Sequence, residues 1–326
     1  MDAMLLQGVM CPTGTVCHRA AASVQRTSLA GRPTFSPNHA TSRVGNSVVS
    51  AHIDALWLSV PRVNLDFFDA HLDITAWNRD DLRHLHFFGG RGALLSLAHP
   101  RRPYETTRAA LTSVQRMIEA AAEDFAAAQL DARVQVSIPW SSRPQRWHGD
   151  LWPGLLRVLS HPAVAAVGPI GVPETGADPD HALQHLSLAR ELDLPVLLLP
   201  SLDSLWDSTQ QLLLLAREVG ISGSRTIVAR SNYTTLRSIL DFGALACIPT
   251  GPDHQRSVDS AEFIHRFGPN AWPYMALSTS AASGTLDILA IPKTLRELEK
   301  LQLPAAAMRA IAKGNLDRWL QRHALV

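Results

Sequence analysis

The chain has 326 residues, of which 46% are hydrophobic, and a formal net charge of +1. That length can bury the core of one large α/β domain, a near-neutral balance gives no bulk attraction for a polyanion, and no apolar run approaches the ~18 residues of a membrane-spanning helix. Three cysteines, Cys11, Cys17 and Cys247, lack zinc-knuckle spacing and argue against a disulfide framework, which points to a reducing compartment.

Residues 1 to 50 differ in composition from the rest of the chain. No acidic residue occurs between Asp2 and Asp54, while Arg19, Arg26, Arg32 and Arg43 lie among Ser, Thr, Ala and Gly. Hydrophobic periodicity is weak there, so the segment reads as a disordered or presequence-like extension. The remainder, 51–326, reads as one domain. A short apolar segment, Ala51 to Val60, ends at Pro61. Eight strand-like runs come after it: Leu65–Asp73, Arg91–His99, Arg133–Trp140, Val164–Gly171, Pro195–Pro200, Thr226–Ser231, Ala244–Thr250 and Tyr274–Ser280. Most are continuously apolar, as parallel strands covered on both faces are.

Amphipathic stretches separate them at Glu105–Gln129, Trp152–Ser160, Asp180–Glu191, Leu205–Val219, Tyr233–Phe242 and Ser260–Phe267. Asp178 and Asp259 stand where helices start, and Gly220 and Gly268 where they end. No G-x-G-x-x-G or Walker A pattern occurs, which disfavours an open nucleotide-binding sheet. The alternation predicts a (β/α)8 TIM barrel. Three further helices, Thr294–Leu301, Pro304–Ala312 and Asn315–His323, are expected to cover its outside.

Barrel chemistry sits at the C-terminal ends of the strands. Strand one ends in Asp69-Ala70-His71-Leu72-Asp73, and residues two apart on a strand share a face. Strand two ends in His99, strand three in Trp140, and strand four carries Pro169 with Glu174 beyond it. Strand five ends in Leu199-Pro200, strand six in Arg230-Ser231-Asn232, strand seven leads to Asp253 and His254, and strand eight ends in Ser278-Thr279-Ser280. The candidate pocket is therefore His71, Asp73, His99, Glu174, Arg230 and Ser280. Other histidines, including His84, His86, His148, His161, His181 and His185, read as surface residues. No G-x-S-x-G elbow is present.

Several segments together resemble a known family. They are Asp69-x-His71-x-Asp73, Leu97-Ala98-His99, Ala166-Val167-Gly168-x-Ile170-Gly171, the run Leu188 to Val196, Ala290-Ile291-Pro292-Lys293-Thr294 and Gly314-Asn315-Leu316-x-Arg318. From about residue 65 to 320 the chain resembles the TatD-type metal-dependent hydrolases, amidohydrolase-like TIM barrels, and in particular a TatD-related branch. The resemblance implies a His-x-His on strand one, a Glu on strand four, a His ending each of strands five and six, and an Asp ending strand eight. Here His71 matches the first His, and Asp73 stands at the second. Pro169, Leu199, Arg230 and Ser280 occupy the other four places.

The resemblance leaves two readings. In one, the metal site is degenerate, the barrel is a pseudoenzyme with no cofactor, and it binds a small anionic ligand or a protein partner. In the other, His71 and Asp73, with His99 or Glu174, hold a single Zn, Mg or Mn ion for a metal-dependent hydrolase acting on a phosphodiester, ester or amide. No membrane or nucleic-acid partner is expected. The expected location is cytoplasmic, or organellar should residues 1–50 act as a presequence.

Overall fold

The structure, a computed structural model, describes residues 65–73, 77–97, 106–136, 152–171, 179–251, 254–279 and 287–321. Its eight strands are β1 (Phe67–Asp73), β2 (Gly90–Ser96), β3 (Asp131–Val136), β4 (Val164–Ile170), β5 (Val196–Leu198), β6 (Thr226–Val228), β7 (Leu245–Pro249) and β8 (Met275–Ser278). Each pairs in parallel with the next, in sequence order. All eight anticipated runs are strands, but most stop short at the C-terminal end. The described residues beyond, such as Leu199, Ala229 and Thr250, lead into the mouth.

Among the described residues seven helices alternate with the strands: α1 (Arg79–Phe87), α2 (Thr107–Ala127), α3 (Trp152–Leu159), α4 (Pro179–Glu191), α5 (Leu205–Val219), α6 (Leu236–Phe242) and α7 (Ser257–Phe267). The architecture is a (β/α)8 TIM barrel, as predicted. Helix α1 was not anticipated, because only Leu82 and Leu85 of it are buried. Its signal is the cap: Asn78 Oδ1 accepts from the amides of Asp80 and Asp81 at 2.9 and 3.1 Å, and Asp81 Oδ2 accepts from the Asn78 amide at 3.0 Å. Helix α7 starts three residues before Ser260, so Asp259 lies within its first turn and pairs with Arg256 at 2.8 Å. Gly220 ends α5 at φ 84°, donating its amide to the Arg217 carbonyl at 3.0 Å.

The strands bury two layers. Phe68, Leu94, Ala166, Leu197, Ile227, Leu245, Cys247 and Ala276 pack inside the barrel. The alternate residues, including Phe67, Leu95, Val134, Val167 and Val196, pack outward with Phe125 of α2 and Phe263 of α7. His185 is only 1% exposed, on the face of α4 that also buries Ala182, Leu186 and Ala189. It is a core residue and not the surface histidine anticipated; its three- and four-residue spacing from those neighbours carried the signal.

After β8 come α8 (Ala290–Lys300), α9 (Ala305–Arg309), a π-turn (Ala310–Gly314) and α10 (Asn315–Leu320). The last of these does not coat the outside. Leu316, Trp319 and Leu320 join the interior cluster at the end where the strands begin. Trp319 Nε1 donates to the Gly223 carbonyl at 3.1 Å, and Asn315 Nδ2 donates to the carbonyls of Trp272 and Met275 at 2.7 and 2.8 Å. Arg133 pairs with Asp317 at 2.7 Å, its guanidinium lying 4.7 Å from the Phe68 ring centroid. The plug closes the bottom of the barrel and leaves the opposite end to the site. Among the described residues no helix is long and apolar enough to cross a membrane.

Candidate functional site

The site begins at an irregularity in β1. Pairing with β2 slips between Asp69, which faces Ala93, and Leu72, which faces Leu95, so β1 carries one extra residue. Strict alternation fails there, and Asp69, His71 and Asp73 no longer fall on one simple face. Asp69 is 1% exposed. Its Oδ1 accepts from the amides of His71 at 3.0 Å and Thr279 at 3.1 Å, and its Oδ2 accepts from the Thr279 hydroxyl. Ser278 Oγ donates to the His71 carbonyl at 3.1 Å. These bonds tie the end of β1 to the end of β8.

Burial raises the Asp69 carboxyl to about 6, against the opposing pull of its hydrogen bonds to Thr279, His71 and Ser278. Burial, and after it the charges of Arg230 and His254, lower His71 to about 3. His71 is therefore neutral near pH 7, with a buried Nδ1 that has no hydrogen-bond partner among the described residues. A cationic pocket in this mouth draws on Arg230 and not on His71. Cys247 is free and buried, its thiol pushed up by burial and then by the nearby charge of Asp69, so it is not a nucleophile.

Arg230 follows β6 with a left-handed backbone, φ 57°, rare outside glycine. Its Nη1 donates to the Pro200 carbonyl at 3.1 Å, which holds the guanidinium at the mouth beside the end of β5. Across the barrel, Asp73 faces Ser96 in the β1–β2 register, and Ser96 faces Gln135 in the β2–β3 register. Gln135 Nε2 donates to Ser96 Oγ, and both side chains are buried.

The structure thus brings His71, Asp73 and Arg230 to one end of the barrel. His99, Glu174 and Ser280 lie outside the described residues. Sequence reasoning passed over Asp69, Thr279, Ser96 and Gln135. Asp69 was visible within the quoted β1 stretch, and Gln135 as the polar residue of an otherwise apolar strand end, Val134 to Val136. Among the described residues no group of three or more His, Cys, Asp or Glu could hold a metal ion. Both Asp69 oxygens are already engaged, and Arg230 places a permanent positive charge in electrostatic reach of His71. The described side chains alone therefore do not complete a ligand set for a divalent ion.

No family model matches the chain, and no curated protein does. Solved structures do. A TatD-like protein from Archaeoglobus fulgidus superposes with TM-score 0.56 at 17% identity, covering 78% of this chain and 99% of its own. The phosphotriesterase from Mycobacterium tuberculosis gives 0.55 at 13%, covering 81% and 96%. The phosphotriesterase homology protein from Escherichia coli, complexed with phosphate in its active site, gives 0.51 at 11%, covering 78% and 99%. The likeness is one of fold: a barrel of the type found in TatD-like and phosphotriesterase-like proteins.

Proposed function

We propose that this barrel is a TatD-like scaffold with a degenerate metal site, non-catalytic, whose mouth receives a small phosphate or carboxylate, free or presented by a partner protein. The observation that carries the reading is Arg230. It is always charged, it is anchored at the mouth by the Pro200 carbonyl, and its charge acts on His71. A guanidinium there repels a divalent cation and attracts an oxyanion. A protein of similar fold from Escherichia coli is complexed with phosphate in its active site, which supports an anion as ligand.

A second reading has one observation in its favour. His71 is neutral with an unpartnered Nδ1, the state a metal-ligating imidazole needs. With Asp73 and a third ligand it would hold a single ion, which would lower the pKa of a bound water and supply a nucleophile.

One experiment separates the two. The full chain is purified without chelator, its Zn, Mg and Mn content is measured, and hydrolysis of bis(p-nitrophenyl) phosphate is followed with each ion added. Calorimetry with inorganic phosphate and with acetate runs in parallel. The proposal expects metal far below one equivalent, no turnover, and anion binding that Arg230→Met weakens at least tenfold. Stoichiometric metal with turnover that His71→Ala removes would establish the second reading instead.

A further inference from the structure

Outside the barrel, α2 and α3 pack side by side and form a cleft of about 360 Å3. One stripe of each helix lines it. Arg108, Leu111, Thr112 and Gln115 recur on α2 at the three- and four-residue spacing of a single face, and on α3 Pro153 and Gly154 stand one turn from Arg157 and Val158. The floor is apolar. Leu111 and Val158 are buried, and a Cβ built on Gly154 would come 3.2 Å from Leu111 Cδ1, so the two walls meet there.

The charge in the cleft is of one sign: Arg108 and Arg157 line it and no acidic residue does. Among the described residues neither guanidinium has an ion pair or a side-chain hydrogen bond, whereas Arg79, Arg83, Arg133, Arg237 and Arg256 are each held by an aspartate. Glu119, one turn beyond the cleft on α2, is engaged by Gln115 Nε2 at 2.9 Å. Thr112 Oγ1 donates to the Arg108 carbonyl at 3.0 Å, so Thr112 is wall and not donor. An exposed arginine is ordinarily just solvated, and a single exposed ion pair is worth little. Here two uncompensated guanidiniums border one concavity, whose low-dielectric walls focus their field, and its volume falls in the range of about 300–1,000 Å3 typical of small-molecule sites.

We propose that this cleft is an anion site on the outer face of the barrel, separate from the mouth, for a phosphomonoester or phosphonate that carries a small apolar body. The dianionic head draws on the charge of both helices, and the apolar body covers Leu111 and Val158. The inference uses no residue of the mouth and stands or falls apart from the reading given above.

The test titrates the full chain by calorimetry with phenylphosphonate, at a pH where it is dianionic, and with inorganic phosphate and benzyl alcohol. Phenylphosphonate binds with a Kd below about 1 mM, at least fivefold more tightly than phosphate, and benzyl alcohol does not bind measurably. Arg108→Gln and Arg157→Gln each weaken that binding about threefold or more, and the double variant at least tenfold. Thr112→Trp, which keeps both charges and obstructs the cleft, abolishes it. Arg230→Met leaves it in place. Arg108, Thr112 and Arg157 are all exposed, so these variants keep the thermal midpoint of the unaltered chain. Binding that Arg230→Met removes and the double variant leaves untouched puts the anion at the mouth alone and overturns the inference. Binding that survives Thr112→Trp reflects surface charge without a site and overturns it as well. Equal affinity for phenylphosphonate and phosphate removes the apolar body from the assignment, and no binding of either overturns the whole.

Discussion

Asp69 is a carboxylate that burial alone would neutralise and that three hydrogen bonds keep partly ionised. Its carboxyl is raised from 3.8 in the open chain to about 6 in the fold, so the folded state holds the proton more tightly. The stability this group contributes is then fully present below about pH 4 and is lost as pH rises through 6. The loss amounts to roughly 3 kcal/mol at most, because a pKa difference of one between folded and open chain is worth about 1.4 kcal/mol. Asp69→Asn keeps the oxygen that accepts from the His71 and Thr279 amides and removes the titration. Urea-unfolding free energies measured from pH 4 to 7 should show the variant gaining on the unaltered protein as pH rises. Parallel profiles would mean that Asp69 does not titrate in this window. His71 has the opposite sign: its value is lowered in the fold, so the stability it contributes is present above about pH 6.5 and is lost as pH falls, and near neutrality it leaves Arg230 with no imidazolium to oppose.

At the scale of elements, the backbone ladder runs from β1 to β8 and side chains link its two ends: Thr279 to Asp69, and Ser278 to the His71 carbonyl. Thr279→Val removes the hydroxyl donor from a buried carboxylate and should cost about 1–3 kcal/mol. Hydrogen exchange of β1 and β8 amides should quicken more than that of β4 or β5, and uniform quickening would show that the hydroxyl does not hold the seam in particular. The elements themselves were largely legible. The eight strands are apolar runs because helices cover their outer faces and the barrel interior covers their inner ones. Helix α1 escaped because its stability comes from the Asn78–Asp81 capping box more than from an apolar stripe. The candidate site was legible only where an ionisable residue closes a strand, as at His71, Asp73 and Arg230. Gln135 and Asp69 were not, because a polar residue inside a strand shows its partner only when the neighbouring strands are in register.

For the whole molecule, the C-terminal segment decides which end of the barrel is open. Trp319 is 5% exposed and fills the bottom of the interior with Leu316 and Leu320. Trp319→Ala should destabilise the chain by about 3–5 kcal/mol, read as a fall in thermal midpoint, while anion affinity at the far end changes little at temperatures where the protein stays folded. A loss of binding equal to that of Arg230→Met would mean that plug and mouth are coupled. Periodicity and turn chemistry act over a few residues, and so the sequence by itself determined the strands, most of the helices, the barrel class and the identity of the residues at the strand ends. The slip that reorients β1, the burial that neutralises His71, the commitment of Gln135 Nε2 to Ser96 and the inward seat of α10 depend on atoms far apart along the chain. Only the tertiary structure decided these, because burial and pairing are properties of the surroundings and not of the residue.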